Sequence, residues 1–306
     1  MEDLIVRYVE LALEARAKGL PVDLAKICSD HPNLIPEVDK LLRLDDAIDF
    51  EPPEDPLLGK VLDERYELQR CIGVGAMGAV YVAKDRTLDR SVAVKLLQNG
   101  LFASKERHER FAREARVLAS LRHPNIVNVF DHGSSSPGTH YIVMEHLVGV
   151  PLAQLSQQAE EDTAAGLHPL DSEWLLRNFE INVPGLSYLP QVVFWCSQVA
   201  SALEEAHAAG VTHRDVKPTN IFIDQTGAAI LLDFGIAAKA GDGSLTADGS
   251  TIGSPWYMAP EQVGNRAAST ELVDVYGLCA TLYHLVTLRP PYEGDYAEVI
   301  SQLATT

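Results

Sequence analysis

The stretch His213-Arg214-Asp215-Val216-Lys217-Pro218-Thr219-Asn220, followed thirteen residues on by Asp233-Phe234-Gly235, constrains this chain more than any other. It reads H-R-D-x-K-x-x-N and then D-F-G. Moving a phosphoryl group from a nucleotide to a hydroxyl needs a carboxylate to orient and deprotonate the attacking oxygen. It also needs hard oxygen ligands for Mg²⁺ and a cation beside the migrating group. Asp215 is the residue type for the first task, Asn220 and Asp233 for the second, and Lys217 for the third. Singly, Asp and Asn are ordinary surface groups. Their joint order and spacing carries the signal.

Upstream lies a second constellation. Tyr66-Glu-Leu-Gln-Arg-Cys-Ile72 alternates like a strand and runs into Gly73-Val-Gly75-Ala-Met-Gly78. Glycines let a backbone approach phosphate oxygens and adopt positive φ. G-x-G-x-x-G alone is weak and equally opens a dinucleotide-binding helix. Here Ala79-Val-Tyr-Val-Ala83 continues as a strand, so the glycines sit at a hairpin tip and the dinucleotide reading falls. In Ser91-Val-Ala-Val-Lys95-Leu-Leu97 a single lysine stands in an apolar strand. Either it snorkels to water from an edge, or its charge is needed where it is, because burying an unpaired ammonium is costly.

With these motifs the chain resembles the eukaryotic-type (Hanks-type) Ser/Thr protein kinases, particularly their bacterial branch. The resemblance implies an α+β, two-lobed protein-kinase-like fold with a strand-rich N-lobe and a helical C-lobe. It implies Lys95 on the α- and β-phosphates of ATP, paired with Glu114 on the next helix. Ile72, Gly73, Gly75, Gly78, Val80, Ala93, Met144, Glu145, Leu147 and Phe222 would line the nucleotide site. Met144 would guard the back of the adenine pocket, and the Glu145 and Leu147 backbones would bond the base. Asp215 becomes the catalytic base, Lys217 the γ-phosphoryl cation, and Asn220 and Asp233 the ligands of Mg²⁺; Mn²⁺ would suit the same oxygens. Lysine two positions after Asp215 marks Ser/Thr rather than Tyr substrates. His213, Phe234 and Leu118 would stack between the lobes, and Asp274 would bond the backbone around His213 and Arg214. Arg214 calls for an activation-loop phosphate, at Thr246, Ser250 or Thr251. Autophosphorylation would run through a homodimer.

Four segments depart from that pattern or extend it. Residues 1–50 read as a helical appendage of three short amphipathic stretches, either a plain cap or a regulatory or docking module. Residues 51–58 read as an acidic, proline-rich linker. The kinase domain is expected over 59–306, with the N-lobe over about 59–147 and the C-lobe over about 148–306. Between a helix near Leu152–Gln158 and one near Gln191–Ala209 the connection is longer than the family needs. It is expected to be an irregular surface excursion with its aromatics tucked onto the lobe, or a docking element for substrate or partner. The second helix carries Val193, Val199, Ala202, Leu203 and Ala206 as a core stripe. The apolar helix around Glu271–Leu285 reads as the buried axis of the large lobe. The resemblance implies further helices and a late arginine that pairs with Glu261. No Lys or Arg follows Arg289, so the lobe reads as lacking its last helices, with Glu261 solvated or served by another residue.

Composition excludes several other classes. A net charge of −18 argues against a nucleic-acid or anionic-membrane binder. The four cysteines form no C-x-x-C pair, which favours free thiols in a reducing cytoplasm. No apolar run approaches the ~20 residues that span a bilayer, and the acidic N-terminus is unlike a signal peptide. The partners expected are ATP and a protein carrying Ser or Thr. The competing expectation is a catalytically silent kinase-fold scaffold or nucleotide-binding regulatory module, and behind it a small-molecule kinase.

Overall fold

The strand-rich half is built by Val- and Tyr-rich segments that pair in sequence order until one helix intervenes. In the computed structural model, residues 8–9, 12, 24–28, 31, 34–39, 55–75, 78–97, 115–135, 139–164, 172–183, 187–234, 255–263 and 270–305 are described. Six strands, β1 (Val61–Leu62), β2 (Tyr66–Gly75), β3 (Gly78–Asp85), β4 (Arg90–Leu97), β5 (Val129–Ser135) and β6 (Thr139–Glu145), form one antiparallel sheet in the order β1-β2-β3-β4-β6-β5. β3 and β4 pair without a break from Gly78↔Leu97 to Asp85↔Arg90. β4 lies between β3 and β6, so both its edges are paired. Val92, Ala93, Val94, Leu96 and Leu97 are all buried. Two register shifts, at Leu68/Arg70 and Cys71/Gly73, bend β2 as it approaches the hairpin tip. Residues 115–120 are helical, with Ala115 and Leu118 buried, and Leu118 in one cluster with Leu97, Val129 and Ile142 of the sheet.

The second half is helical. A three-residue β7 (Gly149–Pro151) leads into α1 (Leu152–Ala164), α2 (Ser172–Phe179) and α3 (Tyr188–Ala208). Then the hairpin of β8 (Ile221–Asp224) and β9 (Ala229–Leu231) forms a small sheet in the order β7-β8-β9. α4 (Leu272–Thr287) and α5 (Tyr296–Thr305) follow. One continuous apolar core takes in Leu118 and Ile142 from the sheet half with Leu155, Trp174, Trp195, Leu203, Ile223 and Leu285 from the helical half. A parallel bridge, Ile126↔Leu231, and the bond from Asn125 Nδ2 to the Ala229 carbonyl (2.8 Å) fasten the segment before β5 to the hairpin.

Residues 1–57 and 58–306 are two compact units. Within the first, Leu24–Ile27 and residues 35–39 are helical, and Tyr8, Ala12, Cys28, Leu34 and Val38 bury together. The Tyr8 hydroxyl lies 2.8 Å from His31 Nδ1. The described apolar residues of this unit therefore pack on one another. Most of the acidic stretch 51–56 lies outside the described residues.

Three expectations need correction. Among its described residues the connection before α3 is not wholly irregular: it holds α2, whose Trp174 and Leu175 are core residues, followed by buried Ile181 and Val183. The Trp174 indole N–H donates to Asp162 (2.6 Å), and its ring meets Phe179 at 5.3 Å. Short polar-apolar alternation there hid a two-turn helix, because eight residues are too few to fix a period. Val193 is 59% exposed and does not belong to the α3 stripe; Val192 and Trp195 occupy the buried face instead. α4 is not buried all round: Val273, Gly277, Ala280 and Leu285 are covered, while Leu272, Val275 and Tyr283 are half or more exposed. An apolar surface on every side reads as burial in sequence, and only the packing shows which face is covered.

Candidate active site

The thirteen-residue spacing between Asn220 and Asp233 is the length of one hairpin. Asn220 ends a 3-10 turn (Pro218–Asn220), β8 leaves it, and β9 returns in register Ile221↔Leu231. The Leu232 N–H then donates to the Asn220 carbonyl (2.8 Å), which sets the two metal-ligand candidates beside each other. The turn of this hairpin is tightly specified. Asp224 Oδ1 accepts from the N–H groups of Thr226 and Ala228 (2.9 Å each). Gly227 has φ +81°, and a Cβ there would stand 2.0 Å from Val183 Cγ1.

Around Asp215 the bonds form a closed set. Lys217 Nζ lies 2.8 Å from Asp215 Oδ2. Asn220 Nδ2 donates to the same oxygen (3.0 Å) and to the Asp215 carbonyl (2.8 Å). Spending its amide nitrogen on Asp215 leaves Asn220 its carbonyl oxygen as a hard ligand. Asp233, held at φ +53°, meets Lys95 Nζ at 2.7 Å through Oδ1. Lys95 reaches it from the middle of β4, with a side chain only 12% exposed. The lysine in the apolar strand is thus no edge residue, and its charge has a partner across the cleft.

The loop carrying Asp215 is pinned from behind. Asp274, fully buried at the start of α4, accepts from the N–H groups of His213 (2.7 Å) and Arg214 (2.6 Å), as the sequence led us to expect. His207 Nε2 adds a third donor to the same carboxylate at 2.7 Å. These bonds hold Arg214 at φ +68°, a left-handed conformation that a non-glycine residue adopts at a cost. The His213 Nε2–H donates to the Leu232 carbonyl (2.6 Å), and its Nδ1 accepts from the Asp215 N–H (3.3 Å). Its ring stands 4.8 Å from that of Phe234, in the same buried cluster as Leu118. Gly277 allows α4 to come this close, since a Cβ would lie 2.7 Å from the Val216 carbonyl.

On the sheet side, β2 and β3 meet at Gly75↔Gly78 as a hairpin, the context inferred from the sequence. Gly78 has φ +138°, and a Cβ would sit 1.8 Å from the Leu96 carbonyl, whereas Cβ atoms at Gly73 and Gly75 would meet nothing within 4 Å. Ile72 is 43% exposed, at the register shift between Cys71 and Gly73 just before the glycine tip. Val80 pairs with Lys95 and Ala93 with Met144, so these side chains share neighbouring rungs of the sheet. The Glu145 N–H donates to the Asn128 carbonyl (2.9 Å), and its carboxylate accepts from Asn128 Nδ2 (2.7 Å). Any bond from Glu145 to a base therefore falls to its carbonyl. Leu147, two residues after β6, and Phe222, on β8, are half-buried. Glu114, Gly235 and residues 236–254, with Thr246, Ser250 and Thr251, lie outside the described residues.

Two contributors were missed from the sequence. His207 stands at the end of α3, a lone histidine on an otherwise apolar face. Gln262, directly after Glu261, donates from Nε2 to the Arg214 carbonyl (3.1 Å) and accepts from the Ala259 N–H (2.9 Å). It ties the segment after the loop to the residue before Asp215. Glu261 itself is exposed to solvent.

Residues 66–305 match the family model described as the protein kinase domain. The chain is 37% identical over 246 residues to the serine/threonine-protein kinase PrkC of Bacillus subtilis (strain 168), covering 80% of this chain and 34% of that protein. It is 37% identical over 250 residues to PknA of Mycobacterium tuberculosis (strain ATCC 25177 / H37Ra), covering 80% of this chain and 52% of the relative. A crystal structure of the M. tuberculosis PknI kinase domain superposes with a TM-score of 0.57 at 28% identity, covering 78% of this chain and 80% of that one. The chain belongs to the protein kinase family, in its bacterial Ser/Thr branch. It spans about a third to a half of the length of these curated relatives. Among the described residues no helix is long and apolar enough to cross a membrane.

Proposed function

We propose that the chain transfers the γ-phosphoryl group of ATP to Ser or Thr hydroxyls of proteins. One observation carries this reading: Asp215, Lys217 and Asn220 form a single bonded set, and the β8–β9 hairpin returns Asp233, with Lys95, to its side. Asp215 orients the attacking hydroxyl in line and takes its proton, while Lys217 offsets charge on the migrating group. In a loose transition state such positioning outweighs base strength. Lys95 holds the α- and β-phosphates under the glycine hairpin. Asn220 and Asp233 offer two hard oxygens, a donor set that fits Mg²⁺. The ion draws charge from the phosphates when bound. Ile72, Val80, Ala93, Met144 and Phe222 enclose the base, with the Glu145 carbonyl and the Leu147 backbone at its edge, and Glu114 steadies Lys95.

Arg214 next to the base and the Ser- and Thr-rich stretch 236–254 together support activation by phosphorylation, at Thr246, Ser250 or Thr251. Mass spectrometry of the purified chain after Mg-ATP treatment tests both ideas. Phosphate on Ser or Thr, absent from Asp215→Asn, supports transfer. An unmodified chain that still binds nucleotide would favour a silent scaffold. Activity that survives alanine at all three positions would discard the regulatory part.

A further inference from the structure

The segment Pro255–Val263, which follows residues 236–254, has little structure of its own. It consists of two 3-10 turns, Pro255–Tyr257 and Pro260–Gln262, closed by the bonds Met258 N–H to Pro255 O (3.1 Å) and Val263 N–H to Pro260 O (3.0 Å). Such turns do not persist unaided, so the segment must be held from outside. On one side Met258 packs on Val299 and Leu303 of α5. At its end Gln262 grips the Arg214 carbonyl. A third hold is polar and reaches much further. The Tyr257 hydroxyl lies 2.6 Å from His284 Nδ1 on α4, and the two rings stack at 6.0 Å and 24°. His284 Nε2 lies 2.7 Å from Glu160 Oε1 on α1, 124 residues away in sequence. α1 begins five residues after Leu147.

We propose that His284, oriented by Glu160, is a positioning residue for the protein substrate, fixing Tyr257 and with it the segment beside Asp215. The proposal rests on the kinase reading for its kinetic consequence but not for its geometry. His284 is 8% exposed with both ring nitrogens bonded. A neutral ring donates from Nε2 to Glu160 and accepts the Tyr257 proton at Nδ1. A charged ring donates at both ends, and the relay survives either way. Burial, and after it the Glu160 charge, pushes the Tyr257 hydroxyl up to about 12, so it stays protonated and able to donate. Helix α1, next to the stretch assigned to the adenine, is thereby joined through α4 to a segment that Gln262 ties to Arg214 (3.1 Å). Arg214 directly precedes the residue that meets the substrate hydroxyl, so a protein carrying that hydroxyl must pass beside this segment. Gln262 and Arg214 carry the same line on to Asp215.

The test uses His284→Phe, which keeps the ring and its stack but removes both nitrogens, with Glu160→Ala and Tyr257→Phe, and Glu161→Ala as control. Hydrogen–deuterium exchange without nucleotide reads the geometry. In each of the three variants amides of residues 256–263 exchange faster, with the remaining helices unchanged, and the pair His284→Phe/Glu160→Ala exchanges no faster than His284→Phe. Steady-state transfer reads the consequence: KM for protein substrate rises about tenfold, the worth of one strong bond, while KM for ATP holds. His284→Asn, which restores an acceptor near Nδ1, recovers part of the loss. Unchanged exchange in residues 256–263, additive effects, or loosening spread over α3 and α4 with an equal rise in both KM values would each overturn the proposal. Local loosening in a chain whose wild type transfers no phosphate would uphold the relay and sink the kinase reading instead.

Discussion

Lys95 Nζ and Asp233 Oδ1 lie 2.7 Å apart, joining the centre of the six-stranded sheet to the residue that follows the β8–β9 hairpin. Asp233 is 38% exposed on its side chain, so water can replace the lysine at little cost. Lys95→Met should therefore leave Tm within roughly 2 °C of wild type. Phosphoryl transfer should fall about 100-fold or more, as for loss of one preorganised charge. Thermal melting and a transfer assay on the same sample check the pair of outcomes.

The glycine hairpin makes a contrast between neighbours. Gly78→Ala places a Cβ against the Leu96 carbonyl at positive φ and should cost roughly 2–4 kcal/mol of stability, seen as a lower urea midpoint. Gly75→Ala adds its methyl to open space and should keep the midpoint, with its effect confined to nucleotide affinity.

Asp85 is fully buried, and Arg65 bonds both its oxygens (2.8 and 2.9 Å), with the Leu88 and Thr87 N–H groups added. The Arg65 bonds, more than the backbone donors, lower its pKa to about 2 against burial's opposing pull. A depressed carboxyl stabilises the fold at every pH above the unfolded value near 4 and loses that contribution as pH falls toward 2. Urea midpoints of wild type and Asp85→Asn should thus differ from pH 7 to about pH 4 and converge below it. A difference that grows on acidification would contradict the sign.

Gln191 in α3 is 1% exposed with neither side-chain polar atom bonded. An apolar side chain of similar length removes that penalty, so Gln191→Met should stabilise the chain by about 1 kcal/mol or more. Chemical denaturation reads this directly.

The site was largely legible in the sequence because its chemistry sits in short contiguous runs. Asp215, Lys217 and Asn220 share one loop, and the return to Asp233 is a single hairpin, so spacing alone encodes proximity. The alternation in β2 to β4 likewise gave the glycine tip its context. What stayed hidden depends on tertiary packing. Trp174 and Leu175 sit in an eight-residue helix amid acidic residues, too short to show a period. Val193 and Val192 are chemically alike, and only the turn of α3 decides which is buried. The Tyr257–His284–Glu160 relay spans three distant elements, and no spacing rule reaches across 124 residues.

The most direct test compares wild type with Asp215→Asn, whose amide fills the same space between Lys217 and Asn220. Transfer from γ-labelled Mg-ATP to a generic Ser/Thr protein substrate should fall roughly 10²–10⁴-fold with nucleotide affinity held. A variant that transfers phosphate at the wild-type rate would contradict the assignment of Asp215 and the reading built around it.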